Sequence, residues 1–318
     1  MRKVVVLTQK NSGYEYEIEA LKQFDDVEFV CAPAVEEDDV IAAVRDAEVI
    51  LFTATKINES FVSKLEKCKL IIRYGIGYDN VDLVATAKRG IYVCNAPNYG
   101  VTDVAEHAVS LMFATAKMTV RMHQRVEAGL WGPGMPPFLR LAGKTVGFVG
   151  FGNIGRAVCR MITGLGMKAL VYDPFVNDDL LAEYGAEKRT LDGVLADSDF
   201  VTLHLPLNEQ TRHSFGKEQF EKMKHSAILI NTSRGPIVNE QDLIEALESG
   251  KIAGCGLDVF EDERSPVDKR LINSPCAVLT PHVAWNTDVA VTALHEEVGD
   301  NIVRYLKGER PHSIVNKL

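Results

Sequence analysis

The stretch VGFVGFGNIGRAV, residues 146–158, is an apolar run that passes straight into G-x-G-x-x-G. In such a turn Gly150 permits the sharp reversal after a strand. Gly152 lets the backbone approach a pyrophosphate, and Gly155 lets the following helix pack closely on the strand. A helix starting near Asn153 and Ile154 aims its N-terminal N–H groups and its dipole at the anion. The next β-branched run, KALVYD, ends at Asp173, close to the roughly 20-residue spacing at which this motif places an acid for the adenosine ribose. Asp173 suits a ribose diol and repels a 2′-phosphate, and Pro174 follows it where an NADP binder wants an Arg. The expected cofactor is therefore NAD, held by an α/β domain that begins nearly halfway along 318 residues.

The residues before the turn have their own βαβ rhythm. KVVVL (3–7), VEFVC (27–31), EVILF (48–52), KLIIR (69–73) and IYVC (91–94) read as strands. DDVIAAVRDA and NESFVSKLEK lie between them as helices, and Asn58 is the expected N-cap of the second. This predicts a parallel sheet covered on both faces. NAPN (95–98) interrupts the rhythm. The helix after it carries apolar residues at 101, 104, 105, 108, 111 and 112, the spacing of a core face. GLWGPGMPPFLRLAGK (129–144) reads as an arm or loop. A second series of strands follows: TVGFVG, KALVYD, DFVTLHL, AILIN, AGCGLDV and CAVLTP. From about 289 the chain reads as one helix and a short extended end. Two α/β domains leave a cleft, where small-molecule chemistry is usually done.

Hydrophobic residues make up 46% and charged residues 25%, an ordinary globular balance. A net charge of −9 argues against nucleic acid as the partner. No apolar stretch approaches the roughly 20 residues of a membrane span, and Val4 to Leu7 is too short for a signal-peptide core. Six scattered cysteines without C-x-x-C spacing read as reduced thiols of a cytoplasmic protein, not as disulfides or metal ligands.

Ligands of open α/β sheets meet the carboxyl ends of strands. AILINTSRG ends in Thr232, Ser233 and Arg234; AGCGLDVFEDE ends in Asp258, with Glu263 five residues on; CAVLTPH ends in His282. Oxidising an alcohol with NAD means removing a hydroxyl proton while hydride leaves the same carbon. A histidine suits the proton. A carboxylate beside it fixes its tautomer and favours the imidazolium. A guanidinium holds the substrate carboxylate and polarises the carbonyl. Of the other histidines, His107 and His295 fall in helical patterns and read as packing or surface residues. RYGIG (73–77) offers backbone N–H groups of Gly75, Ile76 and Gly77 as a nest for a carboxylate, with Arg73 adding charge.

RYGIGYDNVD, VCNAPN, VGFVGFGNIG, NTSRGPIVNEQDL, GLDVFEDE and LTPH occur in the order of the D-specific 2-hydroxyacid dehydrogenase family, which the chain resembles over essentially its whole length. The resemblance implies Arg234, Glu263 and His282 as the catalytic set, and the 75–77 turn as the substrate carboxylate site. It places Val104, the loop His204–Leu205–Pro206, Thr232, Ser233 and Asp258 at the cofactor. It implies a Rossmann domain (98–288) inserted into a flavodoxin-like substrate domain (1–97 plus 289–318), and a homodimer formed through the region around 100–142. Closure is expected about hinges near Ala96 to Asn98 and Asn286 to Val289. The expected substrates are small 2-keto and 2-hydroxy acids. Many phosphoglycerate dehydrogenases carry an Arg where Thr53 stands, which turns the reading away from a phosphorylated substrate, although Lys56 is near. Trp285 after the His, with Arg73, resembles the C-terminal-binding proteins, NAD(H)-dependent corepressors. Trp285 would narrow the pocket. Phosphoglycerate oxidation and an NADH-sensing role remain the alternatives.

Overall fold

The computed structural model describes residues 1–8, 13–32, 37–132, 134 and 137–318. It divides into two compact units: Met1–Gly100 with Asn286–Leu318, and Val101–Trp285.

The first unit is built on five parallel strands, β1 (Arg2–Leu7), β2 (Val27–Ala32), β3 (Val49–Phe52), β4 (Leu70–Arg73) and β5 (Tyr92–Cys94), in the order β2-β1-β3-β4-β5. This is the flavodoxin-like order. All four residues of β3 are buried, as a strand covered on both faces requires. Val5, Ile50, Phe52, Ile71 and Val93 share one core with Val40, Ile41, Phe61 and Leu65 from the flanking segments. Asn58 caps the helix Glu59–Ser63 by accepting from Phe61 N at 2.9 Å. The C-terminal helix runs Asp288–Leu306, and the end of the chain returns to β5 through an antiparallel bridge between Cys94 and Ile314.

The second unit holds seven parallel strands: β6 (Thr145–Val149), β7 (Lys168–Tyr172), β8 (Ala186–Lys188), β9 (Phe200–Leu203), β10 (Ile228–Asn231), β11 (Gly254–Leu257) and β12 (Ala277–Leu279). Their order is β12-β11-β10-β9-β6-β7-β8. The order reverses between β6 and β9, so the crevice for a dinucleotide opens at the carboxyl ends of these two strands. Two cores cover the two faces. One includes Leu111 and Met112 of the helix Val101–Ala116 and Val158 and Ile162 of the helix Asn153–Gly164. The other includes Val194, Phe220, Leu243 and Ile244.

Two elements differ from the sequence reading. The helix Thr119–Glu127 was not expected; it buries no residue and starts from Met118 in the left-handed region. The edge strand β8 was not expected either; its sequence is only AEK. Of the arm read over 129–144, Pro133, Met135 and Pro136 lie outside the described residues. All six cysteines are unpaired and four are buried. Burial pushes the thiols of Cys68 and Cys94 up to about 12, so they are inert. Among the described residues, no helix is long and apolar enough to cross a membrane.

Candidate active site

The glycine turn sits at the switch between β6 and β9. Gly150 has φ +89°, and a Cβ on it would lie 2.4 Å from the carbonyl oxygen of His204, just past β9. Only glycine combines that conformation with that approach. At Gly155 a Cβ would stand 3.0 Å from Gly150 O. Gly152 differs: a Cβ there meets nothing within 4 Å. It caps the helix Asn153–Gly164 with no side chain to satisfy the first amides. An open glycine at an uncapped helix N-terminus is what a pyrophosphate needs.

Asp173 follows β7 directly. Its two oxygens accept from Phe151 N and Phe175 N, each at 2.8 Å, which ties the glycine turn to the end of β7. Each oxygen keeps lone-pair capacity for a ribose hydroxyl. Pro174 is exposed beside it. His204 stacks on Phe148 at 6.1 Å, with Nε2 3.0 Å from Thr202 Oγ1. Burial pushes its imidazole down to about 4. At neutral pH it therefore supplies packing beneath the turn and no charge. Leu205 is partly buried and Pro206 exposed in the loop that follows, while Val104 is buried on the core face of its helix. Beyond β10, Thr232 Oγ1 is buried and finds no partner among the described residues. That orphaned hydroxyl, the open Gly152 and the Asp173 carboxylate together fit NAD.

The turn after β10 is stapled by Asn231, which is 1% exposed. Its Oδ1 accepts from Ser233 N and Ser233 Oγ, and its Nδ2 donates to Arg234 O. Arg234 is thereby presented at the start of a single 3-10 turn, Gly235–Ile237, and its Nη1 donates to Ser233 O at 2.8 Å. The Phe260–Glu261 backbone packs directly on Gly235.

His282 and Glu263 meet as the strand-end reading expects. His282 Nδ1 lies 2.8 and 3.0 Å from the two carboxylate oxygens, so Nδ1 carries the proton toward Glu263 and Nε2 points away. Burial opposes ionisation of Glu263. The hydrogen bond and charge of His282, with Arg234 adding to them, outweigh it and hold the carboxyl below its usual range. A carboxylate whose folded pKa is depressed contributes stability above its ordinary value of 4.5 and loses it as pH falls through the lowered one. The melting-temperature gap between the wild type and Glu263→Gln should therefore close as pH falls below about 4.5. It should be small, because both side chains are more than a third exposed. Thermal melts through that acid range check this; a gap that persists or widens below about 4.5 would contradict it.

Among the described residues, His282 is one of three non-glycine residues with positive φ, at 56°. That conformation costs about 1–3 kcal/mol and persists only when its surroundings impose it. They do: His282 N donates to Asp258 O at 2.8 Å, and the Asp258 carboxylate takes Val283 N at 3.0 Å and Ala284 N at 2.9 Å. Trp285 Nε1 donates to His282 O at 3.2 Å, so the indole braces the same loop. Asp258, 1% exposed, is committed to holding this loop, whatever it also offers a cofactor.

In the first unit, Gly75 has φ +131°, and the Arg73 guanidinium lies over it so closely that a Cβ would be 1.8 Å from Nη1. Asn95 Nδ2 donates to Ile76 O at 2.7 Å and Ala96 N to Gly75 O at 3.1 Å, which turns the carbonyls inward. The amides of Gly75, Ile76 and Gly77 bond no other described residue. They are left for an anion beside a guanidinium.

Residues 109–284 match the family described as D-isomer specific 2-hydroxyacid dehydrogenase, NAD binding domain. A glyoxylate reductase of Korarchaeum cryptofilum is 38% identical over 87% of this chain and 85% of its own. The chain belongs to the D-isomer-specific 2-hydroxyacid dehydrogenase family. A D-3-phosphoglycerate dehydrogenase of Methanocaldococcus jannaschii is 34% identical over 95% of this chain but 58% of its own length. The solved D-lactate dehydrogenase of Aquifex aeolicus, complexed with NAD and lactic acid, is 29% identical with a TM-score of 0.87, covering 97% of this chain and 96% of that one. This dehydrogenase is thus an NAD-dependent oxidoreductase with the NAD-binding domain inserted into the other.

Two histidines read as packing or surface residues also make polar contacts, His295 while packing its ring against Tyr14 and Tyr74. His295 Nδ1 is 2.7 Å from Oε1 of the fully buried Glu17, which also accepts from Tyr74 OH at 2.7 Å. His107 Nε2 is 2.9 Å from Thr280 Oγ1 and 3.5 Å from Asp258 Oδ1. Asn231 was also missed, although an Asn two residues before a Ser in a strand-end turn is an Asx-turn signal.

Proposed function

We propose that the chain reduces a small, unphosphorylated 2-keto acid of the glyoxylate class to the D-2-hydroxy acid. The observation that carries this is the Glu263–His282 pair, with Nδ1 fixed by the carboxylate and Nε2 left to give a proton to a carbonyl oxygen. In the second unit Arg234 offers a guanidinium that can polarise that carbonyl; in the first, the 75–77 amides with Arg73 offer an anion site of the kind a carboxylate takes. Bound NADH supplies the hydride. Thr53, just past β3, offers no cation for a phosphate, and Trp285 favours a short side chain. The name of the glyoxylate reductase relative supports the same class. The unpaired cysteines suit a reducing, cytoplasmic setting.

The test is NADH oxidation with glyoxylate, hydroxypyruvate, pyruvate, 2-ketoisocaproate and 3-phosphohydroxypyruvate. Highest kcat/KM on one of the short keto acids is expected, with NADH binding lost in Gly152→Asp. Preference for the phosphorylated acid would overturn the substrate assignment. Tight NADH binding with no turnover at all would point to a sensor instead.

The same reading includes a homodimer. Trp131 is 91% exposed and Val126, Leu130 and Val120 are about half exposed, all within or just after the helix Thr119–Glu127 that buries nothing. Exposed apolar side chains gathered on this segment support its reading as an interface. Light scattering should give twice the chain mass, falling to one chain in Trp131→Glu; a wild-type monomer would refute the pairing.

A further inference from the structure

We propose that His107 is a positioning residue for the reaction, acting through Thr280 and Asp258 on the loop that carries His282. The inference rests on the reading of His282 as the proton donor and extends it to a helix that does not carry that residue.

The hydrogen bonds run in one direction. Thr280 has a single hydroxyl proton. Asp258 Oδ1, at 2.6 Å, is its nearest acceptor, while the Leu257 carbonyl stands at 3.4 Å. With that proton committed to the carboxylate, Thr280 Oγ1 can only accept from His107 at 2.9 Å. His107 Nε2 therefore carries a proton, and the chain runs from His107 N–H to the Thr280 hydroxyl to Asp258. The carboxylate in turn receives Val283 N and Ala284 N, the two amides after His282. Its own backbone carbonyl receives His282 N. Every link is internal to the second unit.

The arrangement answers a need already on the page. His282 holds a left-handed conformation that a β- or α-region alternative would relieve. The aim of Nε2 depends on that backbone staying put. Asp258 is the fixed point, and a carboxylate 1% exposed holds one rotamer only if its oxygens are partnered. The loop amides take both oxygens from one side, and Thr280 takes Oδ1 from β12's end. His107 closes the set from the helix Val101–Ala116, with its side chain 21% exposed. A helix packed on the core of the nucleotide unit thus fixes the donor loop. Nothing in the reaction requires His107 to touch substrate or NADH.

The variants separate positioning from packing. His107→Leu and Thr280→Val each remove one link with little change of volume, and His107→Gln keeps an N–H donor near the place of Nε2. Active protein is counted by NADH-binding stoichiometry, so misfolded material does not enter kcat. The expected result is a fall in kcat of about 10- to 100-fold for His107→Leu and for Thr280→Val, the scale of a misplaced reacting group. KM for the keto acid should stay within about twofold, since a lost positioning contact acts on the reacting geometry and leaves ground-state binding alone. His107→Gln should recover most of the rate. The double variant should be no slower than either single one, because one chain can be broken only once. Additive losses, a loss mainly in KM, or no recovery in His107→Gln would overturn the proposal. His282→Ala is measured in parallel. If it collapses while His107→Leu runs at the wild-type rate, the positioning role alone fails. If His282→Ala keeps the wild-type rate, the proton-donor reading fails and takes the proposal with it.

Discussion

Replacing His282 by Ala is expected to lower kcat for keto-acid reduction about 10²–10⁴-fold, the range of a positioned general acid. NADH affinity should be unchanged, because the glycine turn, Asp173 and Thr232 lie on other strand ends. The size follows from geometry. Glu263 fixes Nδ1, so Nε2 is the ring's one remaining position for proton transfer. In the Ala variant the carbonyl oxygen would have to take its proton from water. KM should move little. Steady-state kinetics with an NADH titration check this; a loss under about tenfold would mean that the proton comes from elsewhere.

Gly235→Ala carries the second large effect, and it acts without touching a reacting group. An ideal Cβ on Gly235 would sit 1.8 Å from the Phe260 carbonyl oxygen and 2.7 Å from Glu261 N. Both neighbours are backbone, so no rotamer change relieves the clash. One of two turns must move: the one presenting Arg234, or the one leading to Glu263. The overpacking should cost roughly 1–3 kcal/mol of stability. A shift on the ångström scale between the guanidinium and the Glu263–His282 pair should lower kcat/KM about 10²-fold in the folded fraction. Thermal melts and kinetics on the folded variant test both parts. Wild-type behaviour would show that the contact between the turns does not matter to the chemistry.

The parts of the dehydrogenase that could be read from its sequence are those whose partners are local or obey a topological rule. Gly150, Gly152, Gly155 and Asp173 fall within one βαβ unit, so spacing alone suffices. Arg234, Glu263 and His282 lie far apart along the chain, yet each follows a strand of the same parallel sheet, and strand ends share one edge. Nothing comparable announces His107. Its partner Thr280 is 173 residues away, and in sequence it is one polar residue on an amphipathic helix. Glu17 and His295 are 278 residues apart and hidden for the same reason. β8 escaped because AEK has no β-branched residue, and its place depends on pairing with β7. The helix Thr119–Glu127 escaped because it buries no face, and burial is what hydrophobic periodicity reports.

One measurement bears most directly on the central claim: NADH oxidation with pyruvate or hydroxypyruvate, followed by chiral analysis of the product. The account predicts one NADH consumed per keto acid reduced, the D-2-hydroxy acid in large excess, and a rate lower by about 10²–10⁴-fold in His282→Ala. The L-acid as product, or the same rate in His282→Ala, would contradict it.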